Sequence, residues 1–306
     1  MKIGIVGLGE MGGGFVDRLL AAKQHVVGWN RTQQKAEPFL ARGMHRADSP
    51  RAVAEASDVV LTMVSEQKAL AAVTEGPDGI LAGIAGKILV EMSTISPAQV
   101  KELAERTVVA GGALLDGPVL GSQVSLAQGK LLIMIGGDAA VLERVRSALE
   151  IIGPRVIHVG EVGQGKVMKL ALNLSLATQV LALSEGLLLA VKSGIPRDVA
   201  LDVMLGGASA SPMLQYRAPL IKAQPEKAWF DCTMMQKDVT LALELGRSLG
   251  IPLPTTDTAN TWLTAAHGQG LAHHDFSILY YVLARAAGLP LEIPMAAHSA
   301  SSHPQK

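Results

Sequence analysis

The chain has 306 residues, room for two domains at roughly 150 residues each, and 49% of it is hydrophobic against 18% charged. That balance excludes a disordered chain, and 27 basic against 27 acidic side chains remove the basic surplus a nucleic-acid binder needs. A single cysteine, Cys232, forms neither an internal disulfide nor a cysteine metal cage, which fits a reducing, cytoplasmic compartment.

In chain order, the run 3–6 reads as a strand with no charged leader or cleavage site ahead of it. A helix over 11–22 and a strand at His25–Trp29 follow. Helical stretches at 49–56 and 97–108 then alternate with strand-like runs at 59–64, 87–92, Ala113–Asp116, 131–135 and 156–159. Unbroken aliphatic strands separated by helices imply an α/β domain with a mainly parallel, doubly wound sheet. The run 131–135 follows another strand so closely that it is expected to be an antiparallel addition. Beyond Gly160 strand signals nearly vanish, and helices are expected over 165–193, 196–205, 233–249, 255–267 and 276–287. The first of these would measure about 45 Å, enough to link two domains, to form the backbone of an all-α second domain, and to offer an apolar face to another subunit. Its uncharged stretch 170–184 is too short and too polar for a bilayer span, so no membrane partner is expected. The expected divisions are 1–162, 163–290 and a flexible tail over 291–306.

Gly7-Leu8-Gly9-Glu10-Met11-Gly12 stands between the first strand and the first helix, the context in which G-x-G-x-x-G binds a dinucleotide. Gly7 permits the tight turn, Gly9 lets backbone approach a pyrophosphate, and Gly12 lets helix and strand pack closely, while the helix N-terminus supplies amide donors. The domain 1–162 is therefore expected to be a Rossmann domain. Its second strand ends at Trp29, and Asn30-Arg31-Thr32 follows with no acid between Lys23 and Lys35. An NAD site places an acid here for the ribose 2′-hydroxyl, whereas an arginine accepts a 2′-phosphate. Arg31, helped by Asn30 and Thr32, thus favours NADPH/NADP+ over NADH. Met63 and Val64, closing the run 59–64, are assigned to the same cofactor side.

Three further segments bear on chemistry. Thr94, after the strand 87–92, would contact nicotinamide ribose or substrate, or else cap the helix that opens near Pro97. Gly121-Ser122 would present amides and a hydroxyl to a carboxylate, or form a plain turn. Lys169 and Asn173 lie four apart on one helical face among apolar neighbours. A lysine buried there would suit protonation of a developing alkoxide; the alternative is a lysine snorkelling to solvent. His267, His273, His274 and Asp275 lack metal-ligand spacing, with the adjacent histidines diverging on a helix, so no metal is expected. Cys232 is read as inert packing, and Lys237-Asp238 as either site residues or a weak surface pair.

The Gly7–Gly12 loop, Ser93-Thr94, Asp116 to Ser122 with Gly129, Gly163 to Asn173, and Phe230 to Asp238 together resemble the β-hydroxyacid dehydrogenase (3-hydroxyisobutyrate dehydrogenase-like) family from Gly4 to about Leu283. The resemblance implies a Rossmann domain, then an all-helical domain, with the active site between them. It implies an NAD(P)-dependent oxidoreductase with Lys169 as proton donor or acceptor, Asn173 and Ser122 on the substrate, and Thr94 and Lys237 on the cofactor side. Many members carry two asparagines at the third and fourth positions after the lysine, where this chain has Leu172 and Asn173. That departure, with Gly121-Ser122, Phe230 and Asp238, looks most like the glyoxylate/succinic semialdehyde reductase branch, in which Phe230 and Asp238 would line the substrate pocket. Implied partners are a small carbonyl or hydroxyacid and further copies of the chain, as a homodimer or higher oligomer. Trp29-Asn30-Arg31-Thr32 also resembles imine reductases, which lack the lysine. A non-catalytic NADP-binding scaffold is the alternative from another class.

Overall fold

The computed structural model describes residues 1–289 and 291–296. Its contacts divide the chain into two units, Met1–Leu170 and Ala171 onward.

In the first unit, the aliphatic runs become strands because both faces of each are covered. Successive side chains point to opposite faces. Thus Val59, Leu61 and Val90 pack with Phe15, Leu19 and Leu142 on one face, while Val60 and Leu89 pack with Val53, Ile80 and Leu103 on the other. The strands are β1 (Lys2–Val6), β2 (His25–Trp29), β3 (His45–Arg46), β4 (Val59–Thr62), β5 (Ile88–Glu91), β6 (Ala113–Asp116), β7 (Val119–Leu120), β8 (Leu132–Gly136) and β9 (Arg155–Gly160). They run in the order β3-β2-β1-β4-β5-β6-β8-β7, with β9 paired to β8. The first six in that order are parallel. Helices α1 (Glu10–Ala21), α2 (Glu37–Leu40), α3 (Pro50–Ala56), α4 (Gln67–Thr74), α5 (Pro97–Val109), α6 (Gln123–Ala127) and α7 (Ala139–Ile152) complete the unit. The expected antiparallel addition is present: β8 runs antiparallel to β6 and β7, and β9 returns parallel to it. Strand order reverses at β1/β4, and doubly wound sheets bind ligands beyond the carboxyl ends of strands at such a point.

The second unit is helical, as expected. Its elements are α8 (Gln164–Lys192), which begins in the first unit, α9 (Arg197–Gly206), α10 (Pro212–Arg217), α11 (Pro219–Lys222), α12 (Cys232–Ser248), α13 (Pro254–Gly268) and α14 (Leu279–Ala286). The expected helix 276–287 is divided: Asp275 caps a 3-10 turn at Phe276–Ile278, and α14 starts only afterwards. Its core joins Ala177, Val180, Leu181 and Leu187 of α8 to Met235, Val239, Tyr280 and Tyr281. One expectation is corrected. His273 and His274 lie in a turn, not on a helix. The helix α8, 29 residues long, is apolar enough to cross a membrane by length and composition only, a test that a core helix also passes. A third of its most apolar window is buried, and those side chains form the centre of the second unit's core. Of the expected tail, the backbone of Gln224 bonds to Pro294 and Ala296, and residues 297–306 lie outside the described residues.

Candidate dinucleotide and substrate site

The glycine loop leaves β1 and enters α1 with Gly7 at φ +99°, a conformation costly for other residues. A Cβ on Gly12 would collide with the Gly7 carbonyl oxygen, so Gly12 serves the close packing of helix on loop. A Cβ on Gly9 would meet nothing within 4 Å. The fold therefore does not require glycine at position 9, and the space above it is open to a ligand. No side chain caps α1, whose first residues are Glu10 and Met11, so its N-terminal amides remain suited to an anion. These features fit a dinucleotide pyrophosphate.

At the end of β2, Asn30 has a structural use. Its Oδ1 accepts from Leu8 N at 2.8 Å and its Nδ2 donates to Thr32 O at 2.9 Å. It ties the glycine loop to the loop after β2. Arg31 and Thr32 are exposed, and Arg31 has no ion pair among the described residues, which leaves its guanidinium available. Met63 and Val64 follow β4. The backbone of Met63 lies against Gly7, and Val64 N donates to Ser93 Oγ at 2.9 Å.

Thr94 is half-buried. The helix-capping role considered for it belongs to Ser96, whose side chain forms a capping box with Gln99 at the start of α5. Ser122 caps α6, accepting from Ser125 N at 3.4 Å, next to Gly121 at φ +133°. Lys169 is half-buried, with Val167 and Met168 beside it exposed. The expectation of a buried Lys169 is thus corrected: helix azimuth, not the apolar character of chain neighbours, sets burial. The fully buried lysine is Lys166, at 0% exposure, with Nζ 2.5 Å from Glu91 Oε2. Asp116, also fully buried, accepts from Gly163 N at 2.7 Å and Lys166 N at 2.9 Å. A Cβ on Gly165 would press on that carboxylate, so this glycine serves the Asp116 contact.

In the second unit, Asn173 and Asp238 are 1% and 2% exposed, and Asn173 Nδ2 donates to Asp238 Oδ2 at 2.5 Å. Lys237 Nζ donates to Asp238 Oδ1 at 2.7 Å. The pair read as a surface alternative is therefore anchored on a buried carboxylate. Asn173 Oδ1 is buried without a hydrogen-bond partner among the described residues. Phe230 is half-buried, its ring edge-on to Phe276 at 6.0 Å, and its N–H donates to Asp275 Oδ2 at 3.1 Å. Burial, then the carboxylates of Asp275 and Asp231, push the Cys232 thiol up to about 12, which makes it inert at neutral pH. Sequence reasoning passed over Glu91, Lys166, Arg217 and the structural use of Asp275. Their partners lie 45 to 75 residues away, so no local spacing marks them.

Residues 2–160 match the family model described as the NAD binding domain of 6-phosphogluconate dehydrogenase. Residues 163–301 match the one described as "NAD-binding of NADP-dependent 3-hydroxyisobutyrate dehydrogenase". Glyoxylate/succinic semialdehyde reductase 1 of Arabidopsis thaliana is 34% identical over 278 residues, 90% of this chain and 96% of the relative. The cytokine-like nuclear factor N-PAC of Xenopus tropicalis is 35% identical over 280 residues, 91% of this chain but 52% of the relative. The chain thus spans about half the length of the N-PAC relatives it matches. A crystal structure of 3-hydroxyisobutyrate dehydrogenase from Salmonella typhimurium shares the fold with a TM-score of 0.83 at 28% identity, over 92% of this chain and 99% of that one. Glycine loop, sheet order and matches define the class: NAD(P)-dependent oxidoreductases acting on hydroxyl or carbonyl groups. Within it, the chain belongs to the β-hydroxyacid dehydrogenase family, of the 3-hydroxyisobutyrate dehydrogenase-like kind.

Proposed function

We propose that the chain is an NADPH-dependent reductase of small aldehydes or 2-oxo acids, of the glyoxylate or succinic semialdehyde type, and in reverse a hydroxyacid dehydrogenase. The observation that carries this reading is the opening of α8. Its first turn is anchored on Asp116, Lys169 follows half-exposed, and the buried Asn173 comes one turn later with an unused acceptor. The likeness to glyoxylate/succinic semialdehyde reductase 1 supports the substrate class. The exposed Arg31, without a carboxylate partner among the described residues, supports NADP over NAD.

When bound, the dinucleotide supplies hydride to the carbonyl carbon. Lys169 donates a proton to the developing alkoxide, or removes it in the reverse direction. Ser122 and the neighbouring amides hold the substrate carboxylate, and Phe230 lines the pocket. Thr94 and Lys237 contact the cofactor side. Because Asp238 engages Asn173 Nδ2, the buried Asn173 Oδ1 remains as an acceptor. An acceptor suits the substrate hydroxyl better than its carboxylate, which revises the expected use of Asn173. Exposed apolar side chains at Leu189, Val199 and Val203 support self-association as part of the same reading.

The test is NADPH oxidation with glyoxylate, succinic semialdehyde, methylmalonate semialdehyde and tartronate semialdehyde, plus a cyclic imine. Lys169→Ala should lower turnover at least about 100-fold while NADPH binding survives; unchanged turnover would sink the mechanism. The likeness to N-PAC favours one second reading, a non-catalytic dinucleotide-binding scaffold. Stoichiometric NADPH binding with no oxidation by any compound of the panel would establish it instead.

A further inference from the structure

Lys166 lies outside every contact the reduction calls for, yet it is held on all sides. Its ammonium meets Glu91 Oε2 at 2.5 Å and donates to the backbone oxygens of Glu91 at 2.8 Å and Ser93 at 2.7 Å. Glu91 Oε1 accepts from Ser93 N at 2.9 Å, and Ser93 Oγ accepts from Val64 N at 2.9 Å. Beside Glu91 in the sheet stands Asp116, whose carboxylate holds the amides of Gly163 and Lys166. One buried network therefore joins the loop after β4, the Ser93-Thr94 turn after β5, the end of β6 and the first turn of α8.

Stability does not account for such an arrangement, because well-packed apolar side chains in place of a buried ion pair are often as stable or more so. Direction does. The ammonium donates two hydrogen bonds to sheet-end backbone oxygens and pairs by charge with the Glu91 carboxylate, so α8 cannot rotate about its axis without breaking these contacts. Lys169 lies three residues further on, about 60° around the helix from Lys166. Pinning Lys166 inward sets the direction in which Lys169 leaves the helix, and the same ammonium holds the turn that carries Thr94.

We propose that Lys166 is a positioning residue for the reduction: with Glu91 and Asp116 it locks the Ser93-Thr94 turn to the first turn of α8 and thereby sets where Lys169 stands relative to the nicotinamide-side turn. This rests on the function proposed above. In the full chain, Lys166→Met leaves the Glu91 carboxylate buried without its cation and should lower the melting temperature. Lys166→Met with Glu91→Gln removes both charges, keeps an acceptor for Ser93 N, and should recover most of the melting temperature. If the network positions, that double variant still loses about tenfold or more in kcat with NADPH and glyoxylate or succinic semialdehyde. Its KM values should stay within about threefold, as expected when only transition-state contacts are lost. A double variant with recovered melting temperature and full kcat would overturn the proposal. If it does not fold, Lys166→Gln with Glu91→Gln is measured for the same split, and a fall in kcat that merely follows the folded fraction overturns the proposal equally. Lys169→Ala is run alongside: retained turnover there sinks the reading of the site and this proposal with it. A dead Lys169→Ala beside a fully active double variant overturns the positioning alone.

Discussion

Among the described residues, each unit has one charged pair with both side chains buried, and the two are built for different ends. In the first, the Lys166 ammonium reaches two backbone oxygens and one carboxylate oxygen at the carboxyl ends of parallel strands. In the second, Arg217 Nη1 meets Asp275 Oδ1 at 2.6 Å and Oδ2 at 2.5 Å, and the guanidinium lies over the Phe276 ring at 4.3 Å. Asp275 also receives the amides of Phe230 and Ser277. The lysine pair ties the turn after β5 to the first turn of α8, at the strand ends where an α/β sheet binds ligands. The arginine pair staples α10 to the turn ahead of α14 and holds an all-helical scaffold. Arg and Lys are not exchangeable in these places: a planar, weakly hydrated guanidinium stacks on an aromatic ring, whereas a compact ammonium with three donors suits converging carbonyls.

If this division holds, breaking the scaffold pair should cost stability and little else. Arg217→Met strands the Asp275 charge and should destabilise by about 3–5 kcal/mol, read from denaturant unfolding. Below the transition, NADPH affinity should stay at the wild-type value. An intact melting curve with lost NADPH binding would reverse the division. Next in size, Arg31→Ala removes a charge-assisted contact worth about 1.5–3 kcal/mol. It should weaken NADPH about tenfold or more in a fluorescence titration while NADH binding barely moves; equal weakening of both would deny a phosphate-binding role.

The smallest effects should come from two glycines three residues apart. Gly12→Ala forces a methyl onto the Gly7 carbonyl and should cost about 1–3 kcal/mol of stability. Gly9→Ala projects into open space, so stability should change by less than about 0.5 kcal/mol. Its NADPH affinity should nonetheless fall, because the methyl occupies the path of the pyrophosphate. Unfolding curves and NADPH titrations on both variants separate a glycine that the fold needs from one that the ligand needs.

Much of this architecture is legible in the chain because its causes are local. The strand His25–Trp29 and the helix beginning at Pro97 follow from aliphatic runs and from Ser96-Pro97 with Gln99. The glycine loop is legible for the same reason, since backbone demands at Gly7 show in the residue type itself. The short strands His45–Arg46 and Val119–Leu120 are not, because two residues carry no periodicity and owe their state to the partner strand. Nor is the break between Phe276–Ile278 and Leu279–Ala286, which the Asp275 carboxylate imposes while it also serves Arg217 and Phe230.

The site shows the same boundary. The sequence alone determined a dinucleotide loop, an arginine in the place of an acid, and a lysine and an asparagine one turn apart on a helix, for each is written in neighbouring residues. Only the tertiary structure decided which lysine is buried, which way Asn173 presents its amide, and that Asp238 is enclosed rather than exposed. Those outcomes depend on helix azimuth and on partners as far as 75 residues away, and a chain carries no local mark of either.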